Sequence, residues 1–208
     1  DGVLKAKSEI FDFLAQDGTI VLNGDDDKLA AVREVKGIEP VFFGNESGRG
    51  IFADEIENAG LKGIRCRIHA GGEQIRVLVP IPGYHMVMNA LAATAVGLSM
   101  GMTLEEIARG IGKLEAISGR FHIIEKNGYT VIDDCYNANP VSMKASLQVL
   151  ETALGRKVAI LGDMGELGEN EQALHEEVGR FAAGLDIDKC ICVGPLAGHL
   201  ADAILASS

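Results

Sequence analysis

The chain has 208 residues, 47% apolar and 24% charged, enough for one large or two small domains with real cores. Its formal charge is −11 and no basic stripe breaks the acidic balance. That excludes a long polyanion as a partner but not a small nucleotide, which a few backbone N–H groups and one Arg can hold.

In chain order, Leu4 to Leu14 carries apolar residues at helical spacing and Asp17-Gly18 ends it. Thr19 to Leu22 reads as a short buried strand that runs into Asn23 and the acidic Asp25-Asp26-Asp27. That acidic run reads as a solvated turn, because it lacks the spaced ligands and distal Glu of a calcium loop. A further helix and the strand Val41 to Phe43 follow. Ile64, Cys66 and Ile68 alternate with charged residues, Gly71-Gly72 turns the chain, and Ile75, Val77 and Val79 alternate on the return, which predicts a hairpin. Pro80, Pro82 and Gly83 break the pattern before a long Ala-rich helix from about His85 to Met100. Thr103-Leu104-Glu105-Glu106 is a capping box, and its helix ends near Gly110 to Gly112.

From Ser118 the rhythm becomes strand–helix–strand. Tyr129 to Ile132 is a strand after the turn Asn127-Gly128, and Asn139-Pro140 starts a helix with Asn as cap. Val158 to Leu161 is a buried strand, the loop Gly162 to Gly168 leads into a helix ending near Ala183, and Cys190 to Val193 is a third strand. This alternation implies a parallel sheet with helices on its faces. The expected fold is α/β, with a domain boundary near residues 113–118.

The four cysteines, Cys66, Cys135, Cys190 and Cys192, form no C-x-x-C pair. Cys190 and Cys192 face one side of their strand and are poorly placed to bridge. Free, largely buried thiols point to a reducing cytosol and a cytoplasmic location. The longest apolar stretch, around Ala90 to Met100, is too short to span a bilayer. No signal peptide is visible, and the start at Asp1 without Met is expected of an excised piece.

Ligands of an open parallel sheet collect at the carboxyl ends of its strands. Two polar loops lie there in the second half: Asp133 to Asn139, and Asp163-Met164-Gly165-Glu166. Their acids and amides either meet a ligand or cap the helices that follow.

Six segments together resemble the Mur ligases, a family of ATP-dependent amide-bond ligases. They are Lys5 to Phe11; Val21 to Asp26; Pro82 to His85 with Asn89 to Ala93; Gly119-Arg120; Asp133 to Pro140 with Ser142-Met143; and Leu161 to Met164 with Glu166 to Gly168. The resemblance spans nearly the whole chain. It implies that residues 1–114 are the later part of a P-loop-type central ATPase domain and 115–208 a dinucleotide-fold-like (Rossmann-like) C-terminal domain. The P-loop itself is expected upstream of Asp1 and a Lys-Gly-Ser-Arg-like segment beyond Ser208, so the fragment alone is not expected to turn over.

The Asp-Cys-Tyr-Asn-Ala-Asn-Pro and Gly-Asp-Met runs resemble the branch that adds D-alanyl-D-alanine to UDP-N-acetylmuramoyl-tripeptide in peptidoglycan synthesis. The implied chemistry uses ATP and Mg²⁺ and passes through an acyl phosphate. The resemblance makes Lys7 a carbamate that helps to hold the second Mg²⁺; read alone, Lys7 is a solvated helix lysine. It places Arg120 on the nucleotide at a hinge, Asp134 on the ribose hydroxyls, and Asn89 near the adenine with His85 orienting that turn. Asp134 is expected to face the loop and Asp133 the sheet edge. Met86 stands where the family has an Asn, which weakens the adenine contact. Asn137 is a further nucleotide candidate, Tyr136 a nucleotide or substrate candidate, and Asn139 a helix cap. Asp163 and Glu166 are candidates for the ammonium of D-alanyl-D-alanine. Two other readings compete: another ligase of the superfamily, such as folylpolyglutamate synthase or a Mur enzyme adding one amino acid, and a non-catalytic dinucleotide-fold binding module.

Overall fold

The computed structural model describes residues 2–45, 48 and 50–207. The chain divides into two compact units. One comprises Asp1–Asn58, Ile64–Pro80 and His85–Leu114; the other comprises Ala59–Gly63, Ile81–Tyr84 and Glu115–Ser208.

The first unit is built on a five-stranded sheet: β1 (Val21–Asn23), β2 (Val41–Gly44), β3 (Ile51–Asn58), β4 (Ile64–Ala70) and β5 (Glu73–Val79), adjacent in that order. β1, β2 and β3 run parallel; β3, β4 and β5 are antiparallel. Period-2 alternation turns Ile64, Cys66, Ile68 and Ala70 of β4 inward. They share a core with Val87, Ala90, Leu91 and Ala95 of α3 (His85–Ser99) and with Leu104, Ile107 and Ile111 of α4 (Leu104–Ile111). The predicted capping box is formed: Glu106 N–H donates to Thr103 Oγ1, and Thr103 N–H to the Glu106 carboxylate.

Four features of this unit differ from the sequence reading, the first being β3, a strand it did not announce. The helix expected over Leu4 to Leu14 is α1 (Gly2–Ser8) followed by a 3-10 turn over Glu9–Phe13, and neither buries a residue. Short helices hold mainly by packing, and here Val3, Ile10 and Phe13 all lie exposed. The helix between β1 and β2 shrinks to the single turn α2 (Asp27–Ala30). The acidic run before it is not simply solvated. Asp26 caps α2 by accepting from Lys28 N–H and Leu29 N–H, both at 3.0 Å, and Asp25 accepts from the backbone and side-chain N–H groups of Asn45.

The second unit holds two separate two-stranded sheets. β8 (Val158–Gly162) and β9 (Lys189–Val193) are parallel, as the alternation requires. β7 (Tyr129–Asp133), expected in that parallel sheet, instead pairs antiparallel in a sheet of its own with β6 (His122–Lys126), a strand that the sequence did not announce. Asn127 and Gly128 link them at φ +52° and +78°, the two positive values that a type I′ hairpin turn demands. α5 (Pro140–Glu151), α6 (Glu171–Ala183) and α7 (Ala197–Ser207) complete the unit. Met143 and Leu147 of α5, Ala159 and Leu161 of β8, Val178 and Ala182 of α6, and Leu200 of α7 form its core with Met164. Gly179 permits the α6–α7 crossing: a Cβ there would lie 2.4 Å from the Leu200 carbonyl oxygen. All four cysteines are free; Cys66 is buried, Cys190 and Cys192 partly buried, and Cys135 exposed.

Candidate functional site

The carboxyl end of β7 delivers Asp133 and Asp134, and Asn139 caps α5 just beyond, so the loop between is fixed at both ends. Asn139 Oδ1 accepts from Ser142 N–H at 2.9 Å while Ser142 Oγ accepts from Asn139 N–H at 3.1 Å. Pro140 takes the first helical position, where a missing N–H costs nothing.

The two aspartates reach different partners. Asp133 accepts from Gly119 N–H at 2.9 Å, from the Ser118 hydroxyl and from the Cys135 thiol. The thiol and Gly119 N–H stabilise the carboxylate and hold its pKa below the ordinary range. The same contact, seen from the sulfur, raises the Cys135 thiol above its ordinary value. Asp134 accepts from Phe121 N–H at 3.1 Å and from the Ser146 hydroxyl of α5 at 2.5 Å.

Arg120 therefore sits between two fastened amides, those of Gly119 and Phe121. Tyr136 N–H adds a third tie by donating to the Gly119 carbonyl at 3.0 Å. The Arg120 guanidinium lies over the Tyr136 ring, 4.1 Å from its centroid, and both side chains are exposed. The structure thus brings together Arg120, Asp133, Asp134 and Tyr136. Asn137, also exposed, turns its Oδ1 back to Ala138 N–H.

The loop after β8 is fastened more tightly than its sequence suggests. Asp163 Oδ1 accepts from Ala197 N–H at 2.6 Å, so this carboxylate sits at the start of α7, where the helix dipole favours an anion. Met164 is fully buried, and its N–H donates to His175 Nε2 at 2.9 Å. His175 is itself fully buried, with Nδ1 2.7 Å from the Glu171 carbonyl oxygen. One nitrogen accepts and the other donates, so the pair of contacts fits a neutral ring protonated at Nδ1. Glu166 is exposed at φ +60°. It is the acid of this loop left without a hydrogen bond or ion pair among the described residues. Sequence reasoning passed over His175 and Ser146. Val178 and Ala182, three and seven residues after His175 on the same buried helix face, carry a weak signal for the first; nothing local marks the second.

Lys7, His85 and Asn89 belong to the first unit. Lys7 is exposed on α1. His85 begins α3 and is exposed. One turn on, the Asn89 carboxamide N–H points to the Met86 thioether at 3.3 Å. The thioether is a weak acceptor and takes up part of the Asn89 carboxamide. Among the described residues no group of three or more His, Cys, Asp or Glu side chains is arranged to hold a metal ion. No helix among them is long and apolar enough to cross a membrane.

Residues 1–97 match the Mur ligase middle domain, and residues 119–208 match the Mur ligase, glutamate ligase domain. The chain is 36% identical over 195 residues to UDP-N-acetylmuramoyl-tripeptide–D-alanyl-D-alanine ligase of Escherichia coli (strain K12), covering 93% of this chain and 43% of that protein. It is 32% identical over 208 residues to the Bacillus subtilis (strain 168) protein of the same name, covering 99% and 44%. Among solved structures, MurF from Acinetobacter baumannii is similar with a TM-score of 0.89 at 36% identity, over 98% of this chain and 44% of that one. MurF ligase from Thermotoga maritima in complex with ADP is similar with a TM-score of 0.81 at 26% identity, over 95% and 45%. The chain spans less than half the length of these relatives.

Proposed function

Because the chain belongs to the Mur ligase family, we propose that it supplies the middle and C-terminal parts of an ATP-dependent ligase that adds D-alanyl-D-alanine to UDP-N-acetylmuramoyl-tripeptide. The observation that carries this reading is the 36% identity to the E. coli ligase of that name over 93% of the chain. The ADP bound by the Thermotoga maritima relative supports a nucleotide substrate. A cytoplasmic location goes with this reading, supported by four unpaired cysteines.

The proposed reaction has two steps. The tripeptide carboxylate attacks the γ-phosphorus of ATP, releasing ADP and forming an acyl phosphate. The free amine of D-alanyl-D-alanine then attacks the acyl carbon; the amide bond forms, phosphate leaves, and the surplus proton passes to solvent. Charge builds at the transferring phosphoryl, so fixed cationic donors there lower the barrier. Arg120 is the residue of the second unit suited to that task, because its forked N–H groups match phosphate oxygens. Asp134 uses two of the roughly four acceptor directions of a carboxylate on Phe121 and Ser146, and the remaining ones are offered to ribose hydroxyls. In the loop after β8, Asp163 is engaged with α7, so the acid proposed to meet the incoming ammonium is Glu166.

Mg²⁺ and a carbamate on Lys7 are the remaining parts of the family's chemistry. Lys7 stands on exposed α1, and the described residues assemble no metal-binding cluster around it. Mg²⁺ bound with a nucleotide takes its ligands from one or two carboxylates, water and the phosphates, and a Lys7 carbamate would supply one such oxygen.

The test is phosphate release by the full-length protein given UDP-N-acetylmuramoyl-tripeptide, ATP and one of three amines. Release with D-alanyl-D-alanine, and none with Glu or diaminopimelate, is the expected result. Turnover with a single amino acid instead would move the protein to another branch of the superfamily. No release with any amine would leave the family fold without this activity.

A further inference from the structure

We infer that Tyr136 is a positioning residue: it carries the Arg120 guanidinium on its ring and so aims that group at an anionic ligand, without touching the ligand itself. The inference rests on the proposed nucleotide reading for the identity of the anion, a phosphate, and on the geometry of the second unit for everything else.

An exposed Arg ordinarily samples many rotamers, and freezing it on binding costs side-chain entropy. Here that cost is met in advance. The backbone of Arg120 is fastened on both sides, by Gly119 N–H on Asp133 and Phe121 N–H on Asp134, while Arg120 N–H itself donates to the Ile117 carbonyl at 2.8 Å. The guanidinium then rests on the Tyr136 ring at 4.1 Å. The ring is not free to wander either, since Tyr136 N–H is tied to the Gly119 carbonyl. Two loops about 15 residues apart are thus sewn into one support with Arg120 at its apex.

Three features point to a working arrangement. Arg120 forms no salt bridge with another described residue, although Asp133 and Asp134 flank the same turn. Both carboxylates spend themselves on backbone amides and neutral side-chain donors. The charge of Arg120 is therefore supported by a π face, which attracts a cation without neutralising it. Tyr136 is 69% exposed, so packing does not explain its place; the stacked guanidinium does. The fork that results is preorganised for an oxyanion.

The test uses the full-length protein and two readouts. In the free protein, the Arg120 side-chain Nε–H resonance is expected to be ring-current shifted, kept in Tyr136→Phe and lost in Tyr136→Leu. A shift unaffected by Tyr136→Leu overturns the inference. In ATP titrations, Arg120→Ala is expected to weaken binding about 10- to 100-fold, as loss of charge-assisted hydrogen bonds does. Tyr136→Leu should weaken it about 2- to 5-fold, the scale of an exposed cation–π contact, and Tyr136→Phe should restore it. In the Arg120→Ala background, Tyr136→Leu should have no further effect. If it weakens ATP equally in both backgrounds, the ring meets the nucleotide directly and the positioning role is wrong. Equal loss in Tyr136→Phe and Tyr136→Leu would put the function in the hydroxyl and overturn it as well. ATP affinity untouched by Arg120→Ala would overturn the phosphate reading specifically, and the resonance shift would then decide the stacking separately. Melting temperatures of the variants should match the parent, because Tyr136 is exposed.

Discussion

Asp133 and Asp134 show how little a side chain's role follows from its neighbours in sequence. Their order is visible in the chain; their directions are not, because the amides they bind lie 13 and 14 residues away. Asn139 is the opposite case. Its partner Ser142 is three residues on, so cap geometry can be read from local pattern alone. Removing the Asp134 carboxylate leaves the Phe121 N–H and the Ser146 hydroxyl without it. Asp134→Ala is therefore expected to lower stability by about 1–3 kcal/mol, and Asp134→Asn by less because an acceptor remains. Urea unfolding followed by tyrosine emission measures this. Equal losses for the two variants would show that charge, not hydrogen bonding, matters at the position. Asp133 makes a separate prediction through its neighbour. It holds the Cys135 thiol protonated by accepting its S–H, and only the thiolate is a good nucleophile. Exposed Cys135 should therefore react with iodoacetamide more slowly than free cysteine at pH 8, and Asp133→Asn should speed it. Parent and variant alkylating at one rate would show that the contact has no chemical consequence.

Among the elements, local rules hold where packing agrees with them. The β4–β5 hairpin follows its alternation residue by residue, and α3 and α4 form where Ala-rich and capped segments predict them. The misses have physical causes. α1 buries none of its residues, so apolar spacing there overstates the helix. β6 escapes notice because His122-Ile123-Ile124-Glu125-Lys126 shows no alternation, and its pairing with β7 is decided by the turn. That turn is open to test. A residue with a side chain at φ +78° pays a steric cost that Gly does not. Gly128→Ala should destabilise the second unit by about 1 kcal/mol, and Asn127→Ala by less, since Asn tolerates the left-handed region better than Ala but less freely than Gly. Thermal melts check both. A Gly128→Ala protein as stable as its parent would mean that the hairpin adds little to the unit's stability.

For the whole molecule, acid pulls in two directions. Protonation reduces the net charge of −11 and relieves self-repulsion, but it also discharges carboxylates that the fold uses. Five are held below their ordinary values. Asp54 is lowered foremost by its hydrogen bond to Arg67 and then by His69; Glu106 by the Thr103 backbone and hydroxyl; Asp133 by Cys135 and Gly119; Glu176 by Gln172; and Glu177 by Lys144. A depressed folded-state pKa gives stability that is complete above the unfolded-state value, 3.8 for Asp and 4.5 for Glu, and lost as pH falls through the folded value. Glu106 and Glu177 are exposed and Asp54, Asp133 and Glu176 partly so, and each contributes modestly. They lie in both units, Asp54 and Glu106 in the first and the others in the second, so each unit should lose stability in acid. Stability to urea is expected to be nearly flat from pH 7 to 5 and to fall below about pH 4. Two probes separate the units: Tyr84, Tyr129 and Tyr136 all belong to the second, whereas far-UV circular dichroism sees both. Asp54→Asn should reduce the acid slope seen by circular dichroism and leave that of tyrosine emission unchanged. About 1 M salt shortens the screening length to roughly 3 Å and should flatten the part due to ion pairs, Asp54–Arg67 above all, while sparing the hydrogen-bonded Glu106 and Asp133. Stability that instead rises below pH 4 would mean that relief of the excess negative charge outweighs these contacts.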